Sequence, residues 1–149
     1  MKRRIPAAAI IALAVLTVAL RAQAPSASES RSVWDGVYTE DQAKRGEPLY
    51  RAKCGSCHGD RLNGGESASP LTGGAFLSNW NGLSLGDLFE RIRITMPQDH
   101  PGKLARQHIA DVLAFMLSAN KFPAGKTELA HQAEFLKEIR FEATKPDKK

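Results

Sequence analysis

Apolar residues recur along this chain at the spacing of amphipathic helices. A first helix is predicted to begin at Thr39, because Thr39 and Gln42 have the capping-box spacing, in which each side chain satisfies a backbone donor of the other. Ala43, Gly46 and Tyr50 then share one face of this helix. That face is expected to pack against the rest of the protein.

Two further helices are predicted from the same kind of pattern. Ser84 followed by Asp87 marks the start of one, and Pro97 ends it. The other covers about residues 105–119, with Asn120 as its stop. The positions of these two helices that are expected to face inward are Leu85, Leu88, Phe89, Ile92, Ile109, Val112, Leu113 and Met116.

The rest of the chain has little periodicity. Residues 25–37 are polar and Ser-rich, which predicts a linker without a core, and a weaker fourth helix is predicted over about residues 127–140. Residues 59–82 hold six of the twelve glycines, and no segment predicts a convincing strand. Modest helices and a long glycine-rich loop bury too little apolar surface for a well-filled core, so something apolar should fill the middle.

Length and charge narrow the classes of protein. The 149 residues allow one modest domain. Of the net charge of +5, the first 24 residues contribute +4, with four cations and no acid, and the remaining residues contribute +1. Residues 5–20 are uncharged, and Ala22 and Ala24 resemble a peptidase cleavage site, as in a secretory signal peptide. The leader is expected to be removed. Because Pro25 would follow the cut and is poorly accepted there, retention of the leader as an anchor is the alternative. The charge therefore indicates export and predicts no nucleic-acid partner.

Residues 54–58 read Cys-Gly-Ser-Cys-His, the attachment signature of c-type haem. Two thiols three positions apart at a helix end can add to the two vinyl groups of one porphyrin. His58 then lies where its imidazole can bind the iron. The predicted cofactor is one haem c, attached through Cys54 and Cys57, whose apolar ring would fill the core.

Other uses of the two cysteines are less well supported. Zinc needs four ligands, whereas there is no second cysteine pair, and His100, His108 and His131 lack a tight ligand spacing. A disulfide oxidoreductase would have a strand before the motif, but the residues before Cys54 predict a helix. A structural disulfide across so short a loop would remove little chain entropy.

Met96 is the predicted second axial ligand. It stands directly before Pro97 at the break between two helices, where a rigid turn can hold the thioether toward a cofactor. Met116 lies on an apolar helix face and is expected in the core. His100 is the competing ligand.

Together these features resemble the small class I cytochromes c, and among them the bacterial monohaem type found alone or fused to quinoprotein dehydrogenases. The resemblance covers about residues 37–122. It rests on residues 45–50, 54–59, 69–71, 80, 95–97 and 110–115. It implies an all-α fold in which three to four helices and the long glycine-rich loop wrap around one covalent haem. The expected organisation is a signal peptide (1–24), a linker (25–37), a cytochrome c domain (38–125) and a C-terminal helix with a Lys-rich tail (126–149).

The resemblance also implies particular contacts. Gly46 would let the first helix cross the last one closely, with Tyr50 and Phe115 at the contact. The Pro70 carbonyl would accept the other ring N–H of His58. An aromatic residue that contacts a haem propionate would be Trp80, which could equally be an ordinary core tryptophan.

Axial ligation by both His58 and Met96 would leave no open coordination site, which favours electron transfer over substrate chemistry. The expected function is a non-enzymatic, exported, periplasmic carrier of single electrons, soluble or N-terminally anchored. Its partners would be redox proteins, with a quinoprotein or other dehydrogenase or a quinol oxidoreductase as donor and a terminal oxidase or another cytochrome as acceptor. Membrane association is expected only if the leader is uncleaved.

The alternative to an electron carrier is a haem sensor or peroxidase whose sixth ligand is labile. Docking would depend on local patches such as the cationic tail at Lys145, Lys148 and Lys149.

Overall fold

The computed structural model describes residues 31–147, which fold into helices and one pair of very short strands. The elements in chain order are β1 (Arg31–Ser32), a 3-10 turn (Val33–Asp35), α1 (Glu40–Lys53), α2 (Gly55–His58), α3 (Gly73–Trp80), α4 (Leu85–Thr95), α5 (Arg106–Ala119), α6 (Ala133–Leu136) and β2 (Ile139–Arg140). The predicted all-α class is confirmed. The predicted signal peptide lies outside the described residues. Within residues 31–147, no helix is long and apolar enough to cross a membrane.

Helices α1 and α5 cross closely at the centre of the fold. A Cβ atom added to Gly46 in α1 would overlap the backbone carbonyl of Asp111 in α5, so this approach requires glycine. Beside it, the rings of Tyr50 and Phe115 have centroids 5.4 Å apart and are tilted by 48°. The close crossing implied by the family resemblance is therefore present, with both aromatic residues at the contact.

The capping box predicted at the start of α4 is present, whereas only one of the two capping hydrogen bonds predicted at the start of α1 is formed. The Ser84 hydroxyl accepts from the Asp87 N–H at 3.1 Å, and the Asp87 carboxylate accepts from the Ser84 N–H at 2.9 Å. Thr39 caps α1 by accepting from the Gln42 N–H at 3.2 Å. Gln42 does not reciprocate, because its buried amide donates to the Leu129 carbonyl at 3.0 Å and accepts from the Leu129 N–H at 2.6 Å. It ties the C-terminal segment to α1 instead.

All inward positions predicted for the second and third helices are buried. Helix α4 ends at Thr95 with Met96 as its C-cap, and α5 ends at Ala119 with Asn120 as its C-cap. The start of α5 follows Ala105, whose side chain makes no capping hydrogen bond. Both helices therefore have close to the extents that the sequence predicts.

The glycine-rich segment is less irregular than predicted, because residues 73–80 form α3. Phe76 is the one fully buried residue of this helix, and its ring centroid lies 5.8 Å from that of Phe141. Leu77 and Trp80 are only partly buried. A helix anchored by so few core residues leaves no clear 3.6-residue pattern in the sequence.

The predicted linker and fourth helix are both wrong in part. Val33 and Val37 are almost fully buried, so the core begins inside the predicted linker, of which residues 25–30 lie outside the described residues. The helix predicted over 127–140 is only the single turn α6. The chain then extends into β2, which pairs in parallel with β1. Burial of Ile139 and Phe141, two positions apart, follows strand alternation rather than helical spacing.

A row of aromatic rings connects the chain ends to the middle of the protein. Successive ring centroids along this aromatic row are 4.8, 5.4, 5.8 and 6.5 Å apart, from Trp34 through Phe122, Phe141 and Phe76 to Trp80. Three of these contacts have the edge-on geometry that aromatic pairs prefer. The N-terminal and C-terminal segments therefore share one core with the helices.

Candidate haem site

The Cys-x-x-Cys-His residues lie where α1 ends and α2 begins. Cys54 caps α1, since its N–H donates to the Tyr50 carbonyl at 2.8 Å. The N–H groups of Cys57 and His58 donate to the Cys54 carbonyl at 3.2 and 2.9 Å. One helical turn therefore brings together a partly buried thiol, an exposed thiol and a partly buried imidazole. The element before the motif is a helix, as predicted, and not the strand of a disulfide oxidoreductase.

The environment of Cys54 also differs from that of a redox-active thiol. Burial raises the pKa of the Cys54 thiol to about 11, and negative charge on Cys57 acts in the same direction. A redox-active Cys-x-x-Cys pair instead lowers the pKa of its attacking thiol. Zinc gains no support either, because residues 31–147 contain no group of three or more His, Cys, Asp or Glu side chains that could hold a metal ion.

The ring of His58 is oriented by the backbone of the following loop. Its Nδ1 atom lies 2.8 Å from the Ser69 carbonyl oxygen. Because a carbonyl can only accept, Nδ1 carries the hydrogen, and in the neutral ring the lone pair is then on Nε2. The expected acceptor was the Pro70 carbonyl, and the structure places the acceptor one residue earlier. A turn closed by the Gly65 N–H and the Ala68 carbonyl, 3.0 Å apart, directs the next carbonyl at His58.

Further hydrogen bonds hold the backbone on both sides of His58. The Tyr50 hydroxyl donates to the Gly59 carbonyl at 2.8 Å. The Gly64 N–H donates to the His58 carbonyl at 2.8 Å. The imidazole is therefore fixed through its own ring nitrogen, its own carbonyl and the residue that follows it.

The sequence predicts Asn120 only as a helix stop, but its side chain also contacts the loop before α3. Its amide nitrogen donates to the Leu71 and Met116 carbonyls, both at 2.9 Å. Its amide oxygen accepts from the Gly73 N–H at 3.2 Å. Asn120 therefore ties the end of α5 to the loop that carries Ser69. An asparagine after a helix indicates a C-cap in the sequence, but not which loop it contacts.

Met96 lies at the C-terminal end of α4. Its N–H donates to the Ile92 carbonyl at 2.9 Å, its backbone is extended, and its side chain is partly buried against the core. Met116 is 2% exposed, as expected for a core residue. His100 is exposed in the loop after α4, with Nδ1 3.0 Å from a carboxylate oxygen of Asp99.

The residues present fit a covalently bound haem. The donor set comprises two thiols one helical turn apart and an imidazole whose Nε2 is free to bind a metal. Several partly buried apolar residues pack against the core and could bury more surface against an apolar ring. These residues are Leu71, Leu77, Trp80, Met96 and Leu104.

A mainly helical fold with this motif at the end of its first long helix defines a class I c-type cytochrome, a class that carries electrons with covalently bound haem. Residues 41–116 match the family model described as cytochrome C oxidase, cbb3-type, subunit III, and the chain belongs to this family. No curated protein matches it.

Among solved structures, the chain is similar to a chain in the crystal structure of the sulfane dehydrogenase SoxCD from Paracoccus pantotrophus. The identity is 20%, the match covers 72% of this chain, and the TM-score is 0.50. The match covers 61% of the SoxCD chain. At this identity the similarity concerns the fold.

Proposed function

We propose that this protein is a monohaem electron carrier in which Cys54 and Cys57 bind the haem through thioethers and His58 and Met96 are the axial ligands. The observation that carries the proposal is the His58 ring, whose Nδ1 is engaged by the Ser69 carbonyl directly after two thiols one helical turn apart. When bound, the haem supplies reversible one-electron chemistry at its iron.

The chain's own residues favour electron transfer over substrate chemistry. His58 and Met96 would hold a bound iron from the protein without leaving a position for substrate, and the neutral thioether of Met96 would give a higher reduction potential than a second histidine. The hydrogen bond from His58 to Ser69 fixes the imidazole and increases its basicity. The hydrogen bonds at Nδ1 and at the neighbouring backbone would keep the ring in place on either oxidation state of a bound iron.

We infer that the carrier works outside the cytoplasm between two redox proteins. The secretory leader predicted over residues 1–24 and the proposed covalent attachment of the cofactor support this location. The structural similarity to a chain of a sulfane dehydrogenase makes a dehydrogenase the first donor class to examine. A quinoprotein dehydrogenase or a quinol oxidoreductase would serve equally as donor, and a terminal oxidase or another cytochrome as acceptor.

The proposal is tested by expressing the full chain in a host that attaches c-type haem. Haem should remain on the denatured wild type and be lost from the C54A/C57A double variant. The ferric protein should show the far-red thioether-to-iron charge-transfer band. This band should disappear in Met96→Ala and persist in Met116→Leu, a matched change of the core methionine.

Two results would refute the assignment. Full retention of haem by the double cysteine variant would exclude thioether attachment. Rapid binding of carbon monoxide or cyanide by the wild type would show that the sixth ligand is labile, as in a haem sensor or peroxidase.

A further inference from the structure

Both tyrosines of this chain donate their hydroxyl group to a main-chain carbonyl. Tyr50 in α1 is fully buried and bonds the Gly59 carbonyl at 2.8 Å. Tyr38, just before α1, is 2% exposed and bonds the Phe122 carbonyl at 2.7 Å. The two hydroxyls are therefore alike in burial and in the group that they bond, but of the two it is the Tyr50 hydroxyl that bonds the residue next to His58.

The Gly59 carbonyl also begins the loop that follows the Cys-x-x-Cys-His motif. It accepts a second hydrogen bond, from the Leu62 N–H at 3.0 Å. The Leu62 carbonyl accepts from the Leu71 N–H at 2.8 Å and from the Thr72 hydroxyl at 3.2 Å. Leu62 is 2% exposed, and its φ of 59° lies in the left-handed region, which a residue with a side chain keeps where its surroundings fix it. Leu62 therefore joins the two ends of the loop and holds it as one unit.

This loop contacts His58 twice. The Gly64 N–H donates to the His58 carbonyl, and the Ser69 carbonyl oxygen lies 2.8 Å from Nδ1 of the His58 ring. Ser69 stands two residues before Leu71, whose N–H closes the loop. A shift at the start of the loop therefore reaches the carbonyl that orients the ring, and the Tyr50 hydroxyl holds this start to α1.

We propose that Tyr50 is a positioning residue: its hydroxyl keeps the Ser69 carbonyl bonded to His58 and thereby lowers the reduction potential. The inference rests on the proposed function, because the potential is that of an iron bound by His58. A short hydrogen bond from Nδ1 to a carbonyl makes the imidazole a more basic ligand, which favours the ferric state. Without the tyrosine hydroxyl the start of the loop loosens, the bond at Nδ1 lengthens, and the potential rises.

The two tyrosines provide a matched pair of variants. Tyr50→Phe removes the hydroxyl but keeps the ring, whose centroid lies 5.4 Å from that of Phe115. Tyr38→Phe removes an equally buried hydroxyl from another main-chain carbonyl and is the control. Both variants should lose similar stability in denaturant unfolding, because each loses one buried hydrogen bond. Both should also keep the far-red band, which excludes loss of the thioether ligand as the cause of any change in potential.

The midpoint potential of the haem protein separates a positioning role from a purely structural one. At the midpoint potential of the wild type, the ferrous-to-ferric ratio should rise about twofold or more in Tyr50→Phe, a change smaller than the contribution of one hydrogen bond. It should stay near one in Tyr38→Phe. Potentiometric titration measures this ratio, and equal potentials of the two variants would show that the Tyr50 hydroxyl only stabilises the fold.

A second measurement examines the His58 ring directly. In proton NMR of the ferrous protein, the Nδ1–H of His58 should exchange with solvent about tenfold faster in Tyr50→Phe than in Tyr38→Phe, as expected when about one hydrogen bond no longer restrains opening. Equal exchange rates in the two variants would contradict the proposed route from Tyr50 to the ring.

Thr72→Val tests the same loop from its other end, since it removes the hydroxyl that bonds the Leu62 carbonyl and leaves Tyr50 intact. The potential should again rise, and this variant decides the matter if Tyr50→Phe does not fold. An unchanged potential would then refute the role of the loop. A wild type without covalent haem refutes the proposed function, whereas a wild type with covalent haem and equal potentials in the two tyrosine variants refutes the role of Tyr50 alone.

Discussion

The orientation of His58 depends on main-chain acceptors rather than on side-chain partners. The Ser69 carbonyl holds the ring, and the path of the loop decides which carbonyl lies there. Asn120 is the side chain that ties this loop to α5, through the Leu71 carbonyl and the Gly73 N–H. An amide at the end of a helix therefore helps to hold the loop whose Ser69 carbonyl contacts the candidate iron ligand.

Replacing Asn120 by alanine should affect both stability and redox properties. The change leaves the Leu71 carbonyl and the Gly73 N–H without this partner, which should lower the free energy of unfolding by about 1–3 kcal/mol. If the loosened loop releases the Ser69 carbonyl from His58, the midpoint potential should also shift. Denaturant unfolding and potentiometric titration measure the two effects. Asn79→Ala on the exposed side of α3 is the control, and equal behaviour of the two variants would contradict the role of Asn120.

At the scale of elements, the crossing of α1 and α5 places the motif. Gly46 allows α1 to lie directly on the α5 backbone, and Tyr50, one turn further on, bonds the residue after His58. The two helices therefore act as the rigid base from which the short turn α2 presents the thiols and the imidazole.

Gly46→Ala should be strongly destabilising, because the new methyl group would overlap the Asp111 carbonyl and force the two helices apart. The loss should be about 1–3 kcal/mol or more. Gly74→Ala is the matched control: Gly74 lies in α3, and a Cβ there meets nothing within 4 Å. That change should be neutral or slightly stabilising. Thermal and denaturant unfolding of both variants distinguish them, and similar Tm values would refute the close-approach argument.

The elements that could be predicted from the sequence are those encoded locally. Helix α4 has a reciprocal cap and a complete apolar face, so its bounds follow from its own residues. Helix α3 buries only Phe76, and β1 and β2 form only because residues 31 and 139 meet in space. The same distinction holds at the site. The Cys-x-x-Cys-His motif is contiguous and can be recognised in the sequence, whereas the Ser69 acceptor and the contact of Asn120 with the loop depend on the path of that loop.

For the molecule as a whole, the two ends of the described segment, residues 31–147, complete the core. Residues 31–40 and 117–147 lie outside the region matched by the family model, yet the aromatic row runs through them. Gln42 adds a second tie, since its buried amide pairs with the backbone of Leu129. The ends therefore stabilise the helices that carry the motif without supplying a candidate ligand.

Phe141→Ala tests whether the end segments support the core without positioning the candidate ligands. Phe141 is fully buried between the rings of Phe76 and Phe122, with centroid distances of 5.8 and 5.4 Å, so its loss should create a cavity. The free energy of unfolding should fall by about 3–5 kcal/mol. Phe135→Ala removes the same side chain where it is 61% exposed and should change stability little.

Because the proposed ligands lie on α2 and at the end of α4, the folded Phe141→Ala protein should keep covalent haem and the far-red band while its Tm falls. Loss of the band from the folded variant would show that the chain ends also position the iron ligands, and equal stability of the two variants would show that the aromatic row does not support the core.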